Sequence, residues 1–481
     1  MRLPLLFLLC GMAAGAPSCL AQTDYARPGR PLAPAPADPA IARAIARIDP
    51  ARIHQIIEKL VTFQTRNSLS SMETDLPSGT GVQAAADWIF DQFQQISIEC
   101  GGCLEVRRDT FTADPNSAEG TAWAKRIPKP TRMTNVYAIL RGTDPAQANT
   151  MYLVTGHYDS RNTNVLDDHG FAPGANDDAS GVAVSLESAR VLSQLKFPAS
   201  LVFVAVAGEE QGLVGSAHLA RLAKEQGWNL LGVLNDDIVG GNTTPGETLQ
   251  LKDRIRVFSE GVPVSATAEQ QRRIRALGAE NDSPSRELAR AVEDAGKTYF
   301  PAAGAGGKPS FRAFLVSRPD RYLRGGDHSS FNREGFAAVR LTEWREDYNH
   351  QHQNVQRDAR PVLGDLLEFV DFTYVARVAR INAATLATLA SSPGEPQKVQ
   401  IDAERLENGT TLNWQPPAGK VAHYDLLWRE TTAPDWQYTI QVPPAAENGP
   451  VSITVPVSKD NVIFGVRAVD AAGHRGLVVA P

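Results

Sequence analysis

The chain has 481 residues, 42% of them hydrophobic, and a formal net charge of -6. The length corresponds to about three domains' worth of chain, and the apolar share is enough for a large core. No long basic run argues for a nucleic-acid partner, and the acidic residues are spread, which excludes an acidic tail.

The chain opens with Arg2, an apolar stretch from Leu3 to about Ala14, and then small residues. This reads as a secretory signal peptide over residues 1–21, cleaved after Ala21. The apolar run is well short of the ~20 residues that span a membrane. No other segment is long and apolar enough to do so. The mature chain is therefore expected to be secreted or periplasmic, with no transmembrane segment. Residues 22–45, rich in Pro and Ala, read as a linker or arm.

From residue 46 to 390, helical and strand patterns alternate. IHQIIEKLVTF and VQAAADWIFDQFQQI read as amphipathic helices. Cys10 and Cys19 leave with the signal, so only Cys100 and Cys103 remain, in ECGGC. A cysteine metal site would need a second pair. In an oxidising compartment the pair reads as a small disulfide closing a Gly-Gly turn. NVYAILRG, TMYLVTGHYDS and SLVFVAVAGEE read as strands, with the helical run GVAVSLESARVLSQL between the last two. The pattern predicts an α/β fold: a mostly parallel sheet with helices on both faces. Residues 241–325 read as an insertion that helps shape the mouth of the site, with two helical pieces and the Gly-rich loop AAGAGGKPS. From 391 to 481 the helical pattern disappears. TTLNWQPP, HYDLLWRE, QYTIQVP, VSITVPVS and NVIFGVRAVD are short strands between turns, and predict a small all-β sandwich. Trp414, Pro416-Pro417, Tyr424 and VRAVDAAGHRG resemble a fibronectin type III domain.

The chemistry lies at the polar ends of the strands, where α/β sheets bind ligands. TGHYDS carries His157 and Asp159, and APGANDDASG carries Asp177 and Asp178. AGEEQG carries Glu209 and Glu210, LNDDIVG carries Asp236 and Asp237, and EDYNHQHQN carries His350 and His352. Alone, His157 would be a hydrogen-bonded core histidine, Asp177-Asp178 a helix cap and Asp236-Asp237 a turn. Together on one edge they need a counter-charge, and a pair of divalent ions supplies it. Imidazole with carboxylates, and no free thiolate, suits zinc. Two ions need one shared carboxylate and can hold a water between them. A further carboxylate, not bound to metal, takes the water's proton. Of two adjacent Glu residues at a strand end, one can bind metal while its neighbour faces that water.

GHYDS, PGANDDASG, AGEEQGLVGS, LNDDIVG and DHSSFNREGF resemble, in order, the motifs of the secreted di-zinc aminopeptidase family, which includes bacterial leucine aminopeptidases. The resemblance covers most of residues 130–360 and implies a di-zinc peptidase domain over 46–390. It implies two Zn²⁺ per chain and peptide substrates. His157, Asp177 and Asp237 would hold one ion; Asp177, Glu210 and a late histidine the other. Glu209 matches the general base, Asp159 the carboxylate that orients His157, and Asp178 the support of the bridge. Asp236 falls outside the ligand set, and His328 matches a position that is not a ligand. For the late histidine, the spacing of four residues before Asn354 selects His350 over His352. Tyr348 is one candidate for stabilising the oxyanion.

Related sites act as carboxypeptidases or on other amides and need a basic pocket, for which Arg324, Arg340 and Arg345 are placed. A glutaminyl cyclase normally works with one zinc, and the full ligand set argues against it. An inert binding protein would be expected to lose the base, and Glu209 is present. The tail could bind a surface or the catalytic domain.

Overall fold

A computed structural model describes residues 24–117, 120–302, 310–404 and 406–481. The signal peptide, with Cys10 and Cys19, and the Gly-rich loop from 303 to 309 lie outside the described residues. The first part of the chain forms β1 (Arg30–Pro31), α1 (Pro39–Ala46), α2 (Pro50–Val61), α3 (Gly81–Glu99), β2 (Leu104–Ala113) and β3 (Thr131–Leu140). Next come β4 (Thr150–His157), α4 (Ala179–Leu192), β5 (Ser200–Val206), α5 (Val214–Glu225) and β6 (Asn229–Asp236). Then follow β7 (Arg254–Ser259), α6 (Ala268–Leu277), α7 (Pro284–Tyr299), β8 (Arg312–Val316), α8 (His328–Glu334), β9 (Ala338–Thr342) and α9 (Phe372–Ser391). The tail holds β10 (Gln397–Ile401), β11 (Thr410–Gln415), β12 (His423–Glu430), β13 (Tyr438–Val442), β14 (Val451–Val455) and β15 (Val462–Val469).

The main sheet has the order β2-β3-β5-β4-β6-β9-β7-β8. Its centre, β5-β4-β6-β9, is parallel. The edges depart from the expected parallel pattern: β2 with β3, β3 with β5, and β7 with β9 are antiparallel. Every residue of β4 and β5 is buried, which is why their sequences are continuous apolar runs. Leu201, Phe203 and Ala205 face one side, with α2, α3, α4, α7 and α9. Val202, Val204 and Val206 face the other, with α5 and α8. The alternation is the period of two that a strand imposes. In α2, Ile53, Ile56, Ile57 and Leu60 are buried, the spacing of one helical stripe.

Residues 241–325 are not simply an insertion. They supply β7, β8 and α7, so they build one edge of the sheet. The arm is not a free linker either. β1 pairs with β13 in the tail, and Asp38 caps α1, accepting from the Ala40 and Ile41 N–H groups. Cys100 and Cys103 are disulfide-bonded at the end of α3. In the tail, the sheets β1-β13-β12-β15 and β10-β11-β14 share one cluster that includes Leu412, Trp414, Tyr424, Trp428 and Phe464.

Candidate metal centre

The parallel register makes the strand ends level. His157 on β4 pairs with Val206 on β5, and Thr155 with Asn235 on β6. β4 lies between β5 and β6, so the chain steps from β4 to one side and then crosses to the other, the switch point where α/β sheets bind ligands. Glu209 and Glu210 follow β5, Asp237 follows β6, and Asp177 precedes α4. These loops meet over the end of β4.

Asp177 sits in the middle. Its Oδ1 is 3.1 Å from His157 Nε2, and its Oδ2 is 3.0 Å from His352 Nε2. His352 Nε2 is 2.8 Å from Glu210 Oε1, and His157 Nε2 is 4.0 Å from Asp237 Oδ1. Two groups result, His157–Asp177–Asp237 and Asp177–Glu210–His352, each with ligand atoms within 4.8 Å of one another. Asp177 belongs to both and turns a different oxygen toward each. His157 Nε2 and Glu210 Oε1 are buried, and their close approaches to Asp177 and His352 lack hydrogen-bond geometry. Orphaned buried atoms of this kind are costly unless something binds them. Imidazole and carboxylate donors fit zinc.

Residues 135–363 match peptidase family M28. The chain is 42% identical to a "Probable zinc metalloprotease" of Pyricularia oryzae over 455 residues, 92% of this chain and 84% of that one. It is 40% identical to a second "Probable zinc metalloprotease", from Leptosphaeria maculans, over 93% of this chain and 98% of that one. The chain belongs to peptidase family M28. It is a zinc metallopeptidase. Among solved structures, an aminopeptidase from Aneurinibacillus sp. strain AM-1 is similar in shape at TM-score 0.47 and 17% identity, over 74% of this chain and 96% of that one.

In this M28 peptidase the late histidine of the cluster is His352, which corrects the expectation of His350. His350 packs its ring on Phe369, centroids 3.7 Å apart, and its Nδ1 is 3.5 Å from the Thr244 hydroxyl. The reason is a turn. The N–H groups of His350 and Gln351 both donate to the Asp347 carbonyl, and His352 has φ 57°. Counting back from Asn354 treats that stretch as regular. Asn354 instead accepts the Thr163 N–H.

The second layer of contacts holds the cluster. His157 Nδ1 is 3.1 Å from the Asp159 carbonyl oxygen and 3.5 Å from its carboxylate. That carboxylate also accepts the N–H groups of Glu209 and Glu210, at 3.2 and 3.1 Å, and the Ser68 hydroxyl. One aspartate thus sets both the ring and the two glutamates. Asp178 accepts the His157 N–H at 3.0 Å and the Gly181 N–H at 2.9 Å, capping α4 while supporting β4. Asp236 accepts from Asn382 at 2.9 Å, away from the cluster. His328 is buried, with Nε2 2.9 Å from the Pro319 carbonyl oxygen.

Three positioning residues escape a reading of the sequence. Asp365 accepts the N–H groups of Asn176 and Asp177, and Gln351 donates to Asp177 Oδ2 at 3.1 Å. Arg66, fully buried, donates to the carbonyls of Leu60, Tyr158, Pro173 and Gly174 and so ties together the loops around the site. Asp365 and Arg66 sit in none of the motifs, Gln351 stands between the two histidines of EDYNHQHQN, and all three reach partners far away in sequence. Arg340, considered for a basic pocket, is buried and pairs with Asp237 Oδ1 at 2.6 Å. Arg345 pairs with Glu247 on the surface. Tyr348 is 62% exposed.

The electrostatics follow from burial and neighbours. Burial alone would raise the Asp177 carboxyl, but His157 and His352 outweigh it and hold it well below the usual range. Burial disfavours a charge on His352, yet Glu210 and Asp177 push it up to about 10. Glu209 goes the other way. Burial pushes it well above the carboxylate range, and Asp237 and Glu210 add to this against the pull of His157. Glu209 lines a cleft of about 850 Å³, together with Asp177, Glu210, Asp237 and His352.

Proposed function

We propose that this M28 peptidase is an exported aminopeptidase that removes N-terminal residues from peptides with two zinc ions per chain. The observation that carries the reading is the split of Asp177, one oxygen toward His157 and the other toward His352. His157, Asp177 and Asp237 would hold one ion, and Asp177, Glu210 and His352 the other. Zinc bound there supplies a Lewis acid for the scissile carbonyl and lowers the pKa of the attacking water.

Glu209 is the general base. It faces the cleft and belongs to neither candidate ligand group. A carboxylate so placed can take the water's proton and then pass it to the leaving amine. Asp159 keeps Glu209 and Glu210 apart in role by fixing both backbone N–H groups. The cleft volume falls within the ~300–1,000 Å³ common for small-ligand sites, which supports short substrates. Export is supported by the signal-like N-terminus and by a disulfide of the kind oxidising compartments favour. A second reading, carboxypeptidase action, draws on the basic side chains Arg161 and Arg324 that also line the cleft.

The test is mass spectrometry of two digests by the zinc-loaded enzyme, one of a peptide with a free N-terminus and one of the same peptide acetylated there. Residues are expected to leave the front of the free peptide only. Loss from the back of both would replace the reading with carboxypeptidase action.

A further inference from the structure

The cleft is lined by both carboxylates and cations. Its carboxylates, Asp177, Glu209, Glu210 and Asp237, all sit in or beside the candidate metal groups. Its cations, Lys125, Arg126, Arg161, Arg321 and Arg324, come from two other loops and the turn after β4. Arg321 and Arg324 share Glu346, at 2.7 and 3.2 Å. The remaining three have no carboxylate partner among the described residues. Arg126 donates to the Glu210 carbonyl oxygen at 2.6 Å. Arg161 donates to the carbonyls of Asn162 and Thr163 at 3.0 and 3.3 Å. Lys125 is exposed and makes no ion pair there.

Clustered like charges repel, and a cleft focuses their field into the space where a ligand enters. Arg126 is also aimed rather than loose, since its bond to the Glu210 carbonyl holds one end of the guanidinium beside the candidate metal group. A planar guanidinium with free N–H groups suits a carboxylate. On the aminopeptidase reading the free N-terminus and the scissile carbonyl lie at the metal groups, so a carboxylate on the same substrate must lie further along, past the scissile bond.

We propose that Lys125, Arg126 and Arg161 form a subsite for a carboxylate on the leaving-group side of the scissile bond, so that the enzyme prefers short peptides charged at both ends. The inference rests on the aminopeptidase reading. The carboxylate is either the C-terminus of a short peptide or an acidic side chain.

The experiment compares kcat/KM of the zinc-loaded full chain on Leu-Gly-Gly and its C-terminal amide, and on the amides of Leu-Glu-Gly and Leu-Gln-Gly. The expected result is about a fivefold to tenfold preference for the acid over its amide, shrinking as salt is raised. In the Lys125→Gln/Arg161→Gln double variant the acid-to-amide ratio is expected to fall toward one. A preference for Glu over Gln among the amides would assign the subsite to an acidic side chain instead of the C-terminus. Equal rates across both pairs, with cleavage still at the front, overturn the subsite and leave the aminopeptidase reading standing. Cleavage from the back, or none at the front, overturns the aminopeptidase reading itself. Calorimetric binding of the same peptides to zinc-loaded Glu209→Gln protein reads the subsite without turnover, and equal affinity for acid and amide there would also overturn it.

Discussion

Glu209 and Glu210 are neighbours in the chain and opposites in surroundings. Glu210 faces His352 at 2.8 Å, while Glu209 lines the open cleft. Glu209→Gln is expected to lower kcat by about 10²–10⁴-fold with zinc per chain retained; atomic emission on the purified variant checks the second half. The two histidines separate in the same way. His352→Ala is expected to lose about half of the bound zinc, whereas His350→Ala should keep it and lose only about 1 kcal/mol of stability with the Phe369 stack. Glu395 provides a pH test away from the site. Burial pushes its carboxyl from the ordinary 4.5 up to about 7. The folded chain then keeps a proton that the unfolded chain releases, so this group's stabilisation is full at low pH. It is lost as the pH rises from about 4.5 to about 7. Glu395→Gln should flatten that decline by on the order of 2 kcal/mol, read from urea unfolding across the same range.

At the scale of elements, the site depends on how closely β4 approaches α4. A Cβ added at Gly156 would lie 2.4 Å from the Gly181 carbonyl carbon and 2.7 Å from Val182 N. Both contacts are backbone, so neither can swing aside. The approach is what lets Asp178 reach the His157 N–H across the gap. Gly156→Ala is expected to cost about 1–3 kcal/mol as overpacking and to weaken zinc binding by displacing His157. Thermal unfolding with and without added zinc separates the two effects: a smaller zinc-induced rise in Tm than in the parent chain marks a disturbed site.

Across the whole molecule, the tail is bound to the catalytic part through polar groups on α7 and just before it. Arg429 pairs with Asp282 at 2.6 and 2.9 Å, both side chains buried. The Trp436 indole N–H donates to Glu287 at 3.0 Å, and Arg290 donates to the Pro434 carbonyl at 2.6 Å. Arg467 reaches Asp294 at 3.2 Å, and the arm closes the ring where His474 meets Asp38 at 3.0 Å. Asp282→Ala leaves Arg429 buried without its carboxylate, and is expected to cost about 3–5 kcal/mol. Because the pair joins the two parts, the loss should appear in one shared unfolding transition, with the catalytic part and the tail followed by separate probes.

Local pattern was enough for much of this protein. The uniform runs of β4 and β5, the stripe of α2 and the short strands of the tail follow from periodicity, which neighbouring residues alone set. The grouping of His157, Glu210 and Asp237 is legible because each stands at or just past the end of such a run, and a parallel sheet brings those ends together, while Asp177 stands just before α4. The alternation of Arg254, Ile255, Arg256 and Val257 is a strand signal as well, but with only a few residues it yields to the helices around it, and β7 is recognised only by its pairing with β8 and β9. Tertiary structure decided what depends on separations of a hundred residues or more. A turn at Asp347 aims His352 inward, Asp365 holds the Asp177 backbone from 188 residues away, and Arg340 is taken up by Asp237. Sequence spacing cannot settle these because the direction of a side chain after a turn is set by the backbone torsions within it, and the partner it meets is chosen by the packing of the whole sheet.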